Sequence, residues 1–373
     1  MLTNLLGIRL VLLIGKTVPL PASYDVMSAL SKIEVTNDAK SSDGFQMTFS
    51  LAKGILDYSL LSAGTFDPGT RVIIGVLLGV IPEVLIDGII THHQVAPSNE
   101  PGMSTLSVTG TDVSIMLDLE EKDEKYENQP DFIIFSRLIA AYAQYGLVPQ
   151  PTPTTNVPIM LQVIPRQSGE TDLKFIQRMA KRNGFVFYIE PLTFGVNTAY
   201  FGPENRLGLP QPALSMNMGP STNVDSLTFT GDGMAAVKTK GTFIEPILKL
   251  TIPIPSLPSL KLPPLASSSA PALRTVLLRD TSNKNVGEAA SAAISAVTNA
   301  PDPVTGQGKV ETVRYGNILR ARKLVGVRGA GFSYDGNYYV RRVSHSIARG
   351  QYTQSFSLSR EGTGALLPVV RPS

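Results

Sequence analysis

The 373-residue chain has no cysteine at all and only three histidines. Disulfides, thiolate metal sites and cysteine nucleophiles are therefore excluded, while a cysteine-free chain suits either redox environment. The imidazoles are His92, His93 and His345. On a strand, the adjacent His92 and His93 point to opposite faces, and no H-x-x-x-H spacing is present, so all three read as ordinary strand residues and not metal ligands. Charged residues make up only 17% of the chain against 43% hydrophobic. A surface so poor in charge suits a chain that hides area in a permanent assembly. The formal net charge is only +3. No Lys/Arg block with interleaved aromatics occurs, so nucleic-acid binding is not expected.

Signatures of catalysis are also lacking. There is no G-x-S-x-G elbow to anchor a hydrolase triad. Gly326, Gly329 and Gly331 lack phosphate-loop spacing and open no helix, so they read as turns between strands. The carboxylate pairs Glu120–Glu121 and Asp123–Glu124 lie in the mixed-charge run Asp118 to Glu127. That run reads as a solvated connector, where no acid is shielded enough for general acid/base work. No catalytic, cofactor-binding or metal-ligating residue is assigned, and no cofactor is expected. Two apolar runs fall short of membrane helices. Leu5 to Ile14 is about ten residues long and contains Arg9, so it reads as a strand. Val72 to Ile90 contains Pro82, Glu83 and Asp87, which fit two strands joined by a turn near Ile81–Glu83 better than a lipid-buried helix.

What the chain does have is 32 glycines, 28 prolines and many period-two stretches rich in Thr, Val and Ser. These favour β structure with many turns, and the length favours two to four domains. Residues 1–117 read as an antiparallel barrel or sandwich, with strands around Ile33–Thr36, Phe45–Leu51, Val84–Val95 and Ser104–Thr109. Residues 118–220 read as a small α/β domain, with a helix over Phe132–Tyr145 stopped by Gly146 and a Pro/Thr loop over Pro149–Pro158. Residues 221–244 and 273–365 return to β character, with an Ala-rich, helix-prone insertion at Gly287–Val297. The Pro-rich stretch 245–272 alternates prolines with apolar residues and reads as an extended arm lying on protein. Residues 366–373 read as a tail. The fold class expected is mainly β with α+β: two related antiparallel, tube-like β barrels plus a small α/β domain.

The clearest local pattern is Gln167 to Pro191, QSGETDLKFIQRMAKRNGFVFYIEP. Thr171 or Ser168 can cap a helix whose first turn holds Glu170 and Asp172, where the helix dipole favours acids. Leu173, Ile176 and Met179–Ala180 share one face. Lys181 and Arg182 close the last turn, Asn183–Gly184 supplies a left-handed stop, and Phe185 to Ile189 follows as a strand.

The two β regions resemble each other. Glu83–His92, a loop and Thr105–Gly110 align with Asn337–His345, a loop and Ser355–Ser359. The alignment matches Ile86 with Val340, Ile89 with Val343, Leu106 with Phe356 and Val108 with Leu358. Asp43–Gly44 matches Asp232–Gly233. A duplicated barrel lets three chains build a pseudo-sixfold ring.

The segment GETDLKFIQRMAKRNGFVFYIEP, followed in order with the strand–His–loop–strand units around His92 and His345, resembles the baseplate hub proteins of contractile tails. These are the phage late-control D type and the hub part of the type VI secretion spike protein VgrG. The resemblance runs over most of the chain. It implies two tube-like barrels and an α/β domain, assembled as a homotrimer below a tail tube. It implies a non-enzymatic, structural adaptor between a sixfold tail tube and a threefold spike, with tube, spike and other baseplate proteins as partners. It places the protein in a virion tail or injection-system particle assembled in the bacterial cytoplasm. The sequence stops at Ser373 with no repeating Val/Gly tail, so the resemblance implies a hub that binds a separate spike. The Pro-rich insert is outside the family pattern. Two readings of other classes stand beside it: a cell-wall or glycan hydrolase with β accessory domains, and a membrane-associated β protein using the Val72 to Ile90 run.

Overall fold

The computed structural model describes residues 7–16, 18–51, 59–62, 64–79, 81–100, 102–127, 129–154, 166–244, 249–279 and 286–366. The first part holds β1 (Ile8–Gly15), β2 (Leu20–Pro21), α1 (Tyr24–Ala29), β3 (Leu30–Asp38), β4 (Gly44–Ser50), α2 (Ser59–Ser62), β5 (Arg71–Leu78), β6 (Ile81–Ala96) and β7 (Thr105–Asp112). The middle holds β8 (Glu121–Lys125), α3 (Asp131–Ala140), β9 (Leu147–Pro151), β10 (Arg166–Thr171), α4 (Asp172–Asn183), β11 (Val186–Thr193) and β12 (Val196–Gly202). Then come β13 (Gln211–Ser215), β14 (Ser226–Gly231), β15 (Val237–Ile244), β16 (Thr251–Ile254), β17 (Ala266–Ser269), β18 (Arg274–Leu277) and α5 (Val286–Thr298). The last elements are β19 (Val304–Glu311), α6 (Thr312–Tyr315), β20 (Leu324–Arg328), β21 (Gly336–Ala348), β22 (Gln351–Arg360) and β23 (Gly362–Ala365).

Period-two alternation produces the strands. β7 alternates half-buried and buried residues along its whole length, and β4 does nearly the same. One continuous sheet runs β14-β19-β22-β21-β3-β4-β7-β6-β5-β1-β2, with β20 beside β21 and β13 beside β20. Both apolar runs that could be mistaken for membrane segments lie in it: β1 pairs with β5, and Val72 to Ile90 forms the antiparallel pair β5–β6. Among the described residues no helix is long and apolar enough to cross a membrane. Leu5 and Leu6, at the start of the first run, lie outside the described residues.

The sheet is one pattern used twice. Numbered within each unit, β3-β4-β7-β6-β5 and β14-β19-β22-β21-β20 both have the order 1-2-5-4-3, with every neighbour antiparallel. Local details repeat too. Gly69 N–H donates to Ile90 O at 2.8 Å and Ile90 N–H to Thr70 O at 2.9 Å; Arg322 N–H donates to Val340 O at 2.8 Å and Val340 N–H to Lys323 O at 2.9 Å. A β-bulge follows Ile90 in β6 and Val340 in β21. These features match Ile90 with Val340 and Val108 with Phe356. The sequence alignment had the right strands in the wrong register, placing Ile86 on Val340 and Leu106 on Phe356. Its match of Asp43 with Asp232 is also displaced. Asp232 corresponds to Asp38, because both carboxylates accept the backbone N–H two residues on, at 2.8 Å. The reason for the slip is physical: alternation has a period of only two, so shifts of two or four residues keep every apolar position apolar.

Three cores serve three bodies. Unit one packs Ile33, Val35, Met47, Phe49, Val108 and neighbours; unit two packs Val310, Val325, Val340, Val343 and Leu358. Between them in sequence, α3 and α4 pack Ile134, Phe135, Phe175 and Ile176 against β11 and β12 through Ile189 and Phe201. In α4 the N-cap is Thr171, and Gly184 closes the helix at φ 68°. Ser168, the other candidate cap, lies within β10. The mixed-charge run is not a plain connector: Glu121–Lys125 is β8, paired antiparallel with β10. Opposite charges across the pair, such as Arg166 on Asp123 at 3.0 Å, let a solvated strand form where a like-charged one would repel. Leu147–Pro151, where the sequence reading starts a Pro/Thr loop, is instead the parallel partner of β12; residues 155–158 of that loop lie outside the described residues. β13, before the expected division at residue 220, runs parallel to β20 and puts Leu214 in the unit-two core. Unit two interrupts its pattern between β14 and β19 with β15 to β18 and α5, where Phe243, Ile254, Ala289 and Ala293 form a small separate core. Of the Pro-rich stretch, residues 245–248 lie outside the described residues, as do residues 367–373 of the expected tail. The remainder is extended against protein through β16 on β15 and β17 on β23.

The two units fill one core position in opposite ways. Phe45 faces Gly110 across β4–β7, whereas the matching pair across β19–β22 is Gly306 facing Leu358. A Cβ on Gly110 would stand 2.2 Å from Ile89 O and 2.4 Å from the Phe45 ring. Gly110→Leu is expected to destabilise the protein by about 1–3 kcal/mol through overpacking. Adding Phe45→Gly should recover part of that loss, and urea unfolding of the two variants measures it. Equal stability of the single and double variants would show that the exchange of large and small residues is not coupled.

Candidate assembly surfaces

One face of the long sheet is polar from β14 through β7 and along His92–Ala96 of β6. Cross-strand partners run Ser226, Lys309, Ser355, Ser344, Thr36 in one row, and Glu311, Thr353, Ser346, Glu34, Gln46, Thr109, His92 in another. The row between them, on the opposite face, carries the buried Val310 and Val35, and the row beyond the second carries the buried Ile33 and Met47. An open depression of about 450 Å³ lies on the polar face between Gln307, Ser344, Ser357 and the Arg342–Asp38 pair, whose Nε–Oδ2 distance is 2.7 Å. Hydroxyl, amide and charged residues make up most of its lining, with Phe356 the one large apolar residue, and it is open to solvent.

The histidines stay apart in role. His92 is exposed on the polar face. His93 is half-buried, with Nδ1 at 3.0 Å from Phe66 O. His345 is wholly buried, with Nδ1 at 2.9 Å from Tyr352 Oη, and burial followed by the nearby Arg320 charge lowers its pKa to about 3. Among the described residues no cluster of three or more His, Asp or Glu could hold a metal. Gly329 and Gly331 have φ 81° and 97° in the turn after β20, and a Cβ on Gly329 would meet Met216 O at 1.8 Å. They are turn glycines, with no helix N-terminus behind them.

What composition and spacing did not reveal are the buried ionic joints. Arg322 bonds Asp43, donates to Asp38 O at 2.7 Å and to Ile189 O at 3.2 Å, and stacks over Tyr188 with 4.3 Å from guanidinium carbon to ring centroid. It thereby holds unit two to unit one and to the α/β body. Asp87 receives Arg71 at 2.8 and 2.7 Å and Asn197 at 2.9 Å, and Arg71 reaches Tyr145 O at 2.8 Å, fixing the α/β body on β6. Asp302, just before β19, receives Lys261 at 2.7 Å, Arg341 at 2.6 Å and the Ser359 hydroxyl at 2.6 Å. Burial alone would raise the Asp302 carboxyl, but Arg341, Lys261 and Arg206 outweigh it and hold it well below the usual range. Lys261 belongs to the Pro-rich stretch, so this joint seats that stretch on unit two.

Asp43, bonded to Arg322, lies against a second buried carboxylate. Asp43 N–H donates to Asp112 Oδ2 at 2.6 Å, and both side chains are buried. Burial pushes the Asp43 carboxyl up to about 6, against the pull of Arg322 and with the push of Asp112, and burial also raises Asp112. A folded-state pKa raised above the ordinary 3.8 gives stability that is fully present below 3.8 and lost as pH rises through about 6. Unfolding midpoints should therefore fall between about pH 4 and pH 6 and level off above that. Arg322→Gln should cost about 3–5 kcal/mol at pH 7 by stranding buried charge. It should also move the falling step to higher pH. Urea titrations at several pH values check both, and a flat profile would mean that the pair retains no proton.

No protein-family model matches the sequence, and no curated protein matches it. Solved structures do match. The tail protein of Neisseria meningitidis MC58 aligns with a TM-score of 0.63 at 14% identity, over 94% of this chain and 97% of that one. The 43 kDa tail protein of prophage MuSo2 from Shewanella oneidensis aligns with a TM-score of 0.61 at 15% identity, over 94% and 98%. An E. coli component of the type VI secretion system, itself described as similar to bacteriophage tail proteins, aligns with a TM-score of 0.55 at 13% identity, over 92% and 77%. Over nearly its whole length, this chain has the fold of phage tail proteins and of their type VI secretion counterpart.

Proposed function

We propose that the chain is a structural hub in the baseplate of a contractile injection machine, a homotrimeric adaptor joining a sixfold tail tube to a threefold spike. The observation that carries this reading is the repeat of one five-strand pattern, 1-2-5-4-3, twice within a single continuous sheet. Three chains then offer six near-equivalent units to a sixfold partner and three identical chains to a threefold one. In this reading residues 1–117 form the first tube unit, and 221–244 with 273–365 the second. Residues 118–220 are the α/β side domain, except that β13 near their end joins unit two; 245–272 are an arm against unit two, and 366–373 a tail. Tail tube, spike and further baseplate proteins are its partners, in a virion tail or injection particle assembled in the bacterial cytoplasm. No catalytic step or cofactor enters the mechanism. The polar sheet face supports it, because a wall of small hydroxyl side chains with both signs of charge suits a surface facing water inside a tube.

The fold shared with tail proteins supports the same reading. Light scattering together with single-particle electron microscopy of the purified chain tests it. A particle of three copies with six similar lobes around an opening is expected. A stable monomer with one deep cleft, at all concentrations and with tube protein added, would overturn the hub reading.

A further inference from the structure

The duplication leaves one mismatch between the two units. In unit two, one side of β21 serves two neighbours in succession: β20 pairs with Gly336–Tyr339, and β3 of unit one pairs with Arg342–Ala348. In unit one, the same side of β6 is served by β5 as far as Ile89. Beyond Ile90 no strand lies beside it among the described residues. The strand that corresponds to β3 is β14, and β14 has β19 on one side and no partner strand on the other among the described residues. The chain thus carries one satisfied junction and, at the symmetry-related places, two open edges that match it.

Burial points the same way. Ile33 and Val35 of β3, and His345 of β21, are wholly buried at the satisfied junction. Their counterparts are Leu227 and Phe229 of β14, and Val95 of β6, and all three are only half-buried. The polar pair also has a counterpart: Arg342 pairs with Asp38 across the satisfied junction, and the corresponding residues are His92 and Asp232, an imidazole and a carboxylate able to hydrogen-bond. Open edges of this length are templates for another strand, and closure into a ring removes them.

We propose that His92–Ala96 of β6 pairs antiparallel with Thr228–Gly231 of β14 and the adjoining Asp232 from the next copy of this chain. The proposal deepens the hub reading and rests on it only for the number of copies. The register follows from the in-chain junction: Arg342 on Asp38 becomes His92 on Asp232, Ser344 on Thr36 becomes Gln94 on Thr230, and His345 on Val35 becomes Val95 on Phe229. At the in-chain junction Ala39 N–H donates to Arg341 O, which makes Arg342/Asp38 and Ser344/Thr36 the non-hydrogen-bonded pairs. The transferred ladder then bonds at His93/Gly231 and Val95/Phe229. The next bonded position falls on Pro97, which has no N–H, so the ladder ends after Ala96. Half-buried Val95 and Phe229 would close together as His345 and Val35 do within the chain.

The absence of cysteine makes the test clean. Non-bonded antiparallel pairs have Cα atoms about 4.5 Å apart, within disulfide reach. Gln94→Cys with Thr230→Cys, oxidised in the full-length protein, should give covalently linked copies that stop at three on a denaturing gel. Its in-chain twin is Thr36→Cys with Ser344→Cys, where the two hydroxyls stand 3.0 Å apart. The twin should close a disulfide within the chain without changing the mass, which checks that the sheet is folded. Gln94→Cys with Leu227→Cys, displaced from register, should link several-fold less. Native particles of three copies in which the twin closes but Gln94/Thr230 does not link would overturn this edge pairing and leave the hub reading standing. Linked rings of two or four copies would keep the edge pairing and overturn the trimer. A monomer whose twin closes and whose Gln94/Thr230 pair forms no intermolecular link would overturn both.

Discussion

Arg322 is the group on which the arrangement of the three bodies depends. Its backbone lies at φ 66°, in the left-handed region, where the matching residue of unit one is Gly69 at φ 89°. Glycine takes that conformation freely, and an arginine there costs on the order of 1 kcal/mol or more. The strain persists because the side chain launched from that position reaches Asp43 and the carbonyls of Asp38 and Ile189. A residue with the ordinary φ would point the guanidinium elsewhere. One copy of the turn keeps the unstrained solution; the other has become a clamp. That difference turns two equivalent units into an ordered pair.

The low charge content takes on a meaning here that composition alone does not carry. Many of the charged side chains are inside the molecule, at the places where one body meets another: Arg322 with Asp43, Arg71 with Asp87, and Arg206 and Arg341 with Glu204 and Asp302. Arginine suits such joints because its fork can bond a carboxylate and a carbonyl at once. Buried ion pairs add little net stability compared with apolar packing, but an incorrect docking would strand a charge without a partner. They therefore fix the relative placement of the bodies. The apolar cores fold each body, and the ionic joints select among the ways of putting the bodies together.

Much of this was legible in the sequence. The α4 segment was readable from cap to stop because capping, dipole and Gly184 are local signals, and Thr171 and Gly184 take those roles. The β5–β6 pair was readable because Pro82, Glu83 and Asp87 break an apolar run in the way a hairpin does and a membrane helix does not. The duplication was visible as a likeness of strands, while its register was not. Alternating patterns shifted by two residues look alike, and only the bulges and the paired turn hydrogen bonds fix the offset. β9 was missed because its prolines suppress the strand signal; a strand with one parallel neighbour tolerates them where their N–H groups face away from the ladder. The ionic joints were invisible for a different reason. Arg322 and Asp43 are 279 residues apart in the chain, and no spacing rule reaches that far.

A duplicated unit that has diverged can do what two identical subunits cannot. Identical units in a ring of six would give six identical junctions and a surface with sixfold symmetry only. Here half the units carry the insertion between β14 and β19, while the other half have only residues 39–43 at that place. Half carry Arg322 at the turn and half carry Gly69. The features that repeat in every unit are the backbone ladder and the polar sheet face. The features found in only one of the two are the α5 insertion and the seat for the Pro-rich stretch at Asp302. In a ring of three chains the repeated features lie on the sheet wall and recur six times, and the unique ones project from alternate units and recur three times. In the proposed hub, tube-matching and spike-matching would thus be assigned to different residues. Either can change without disturbing the other, as long as the β21–β3 ladder and the Arg322 clamp keep the two units in register.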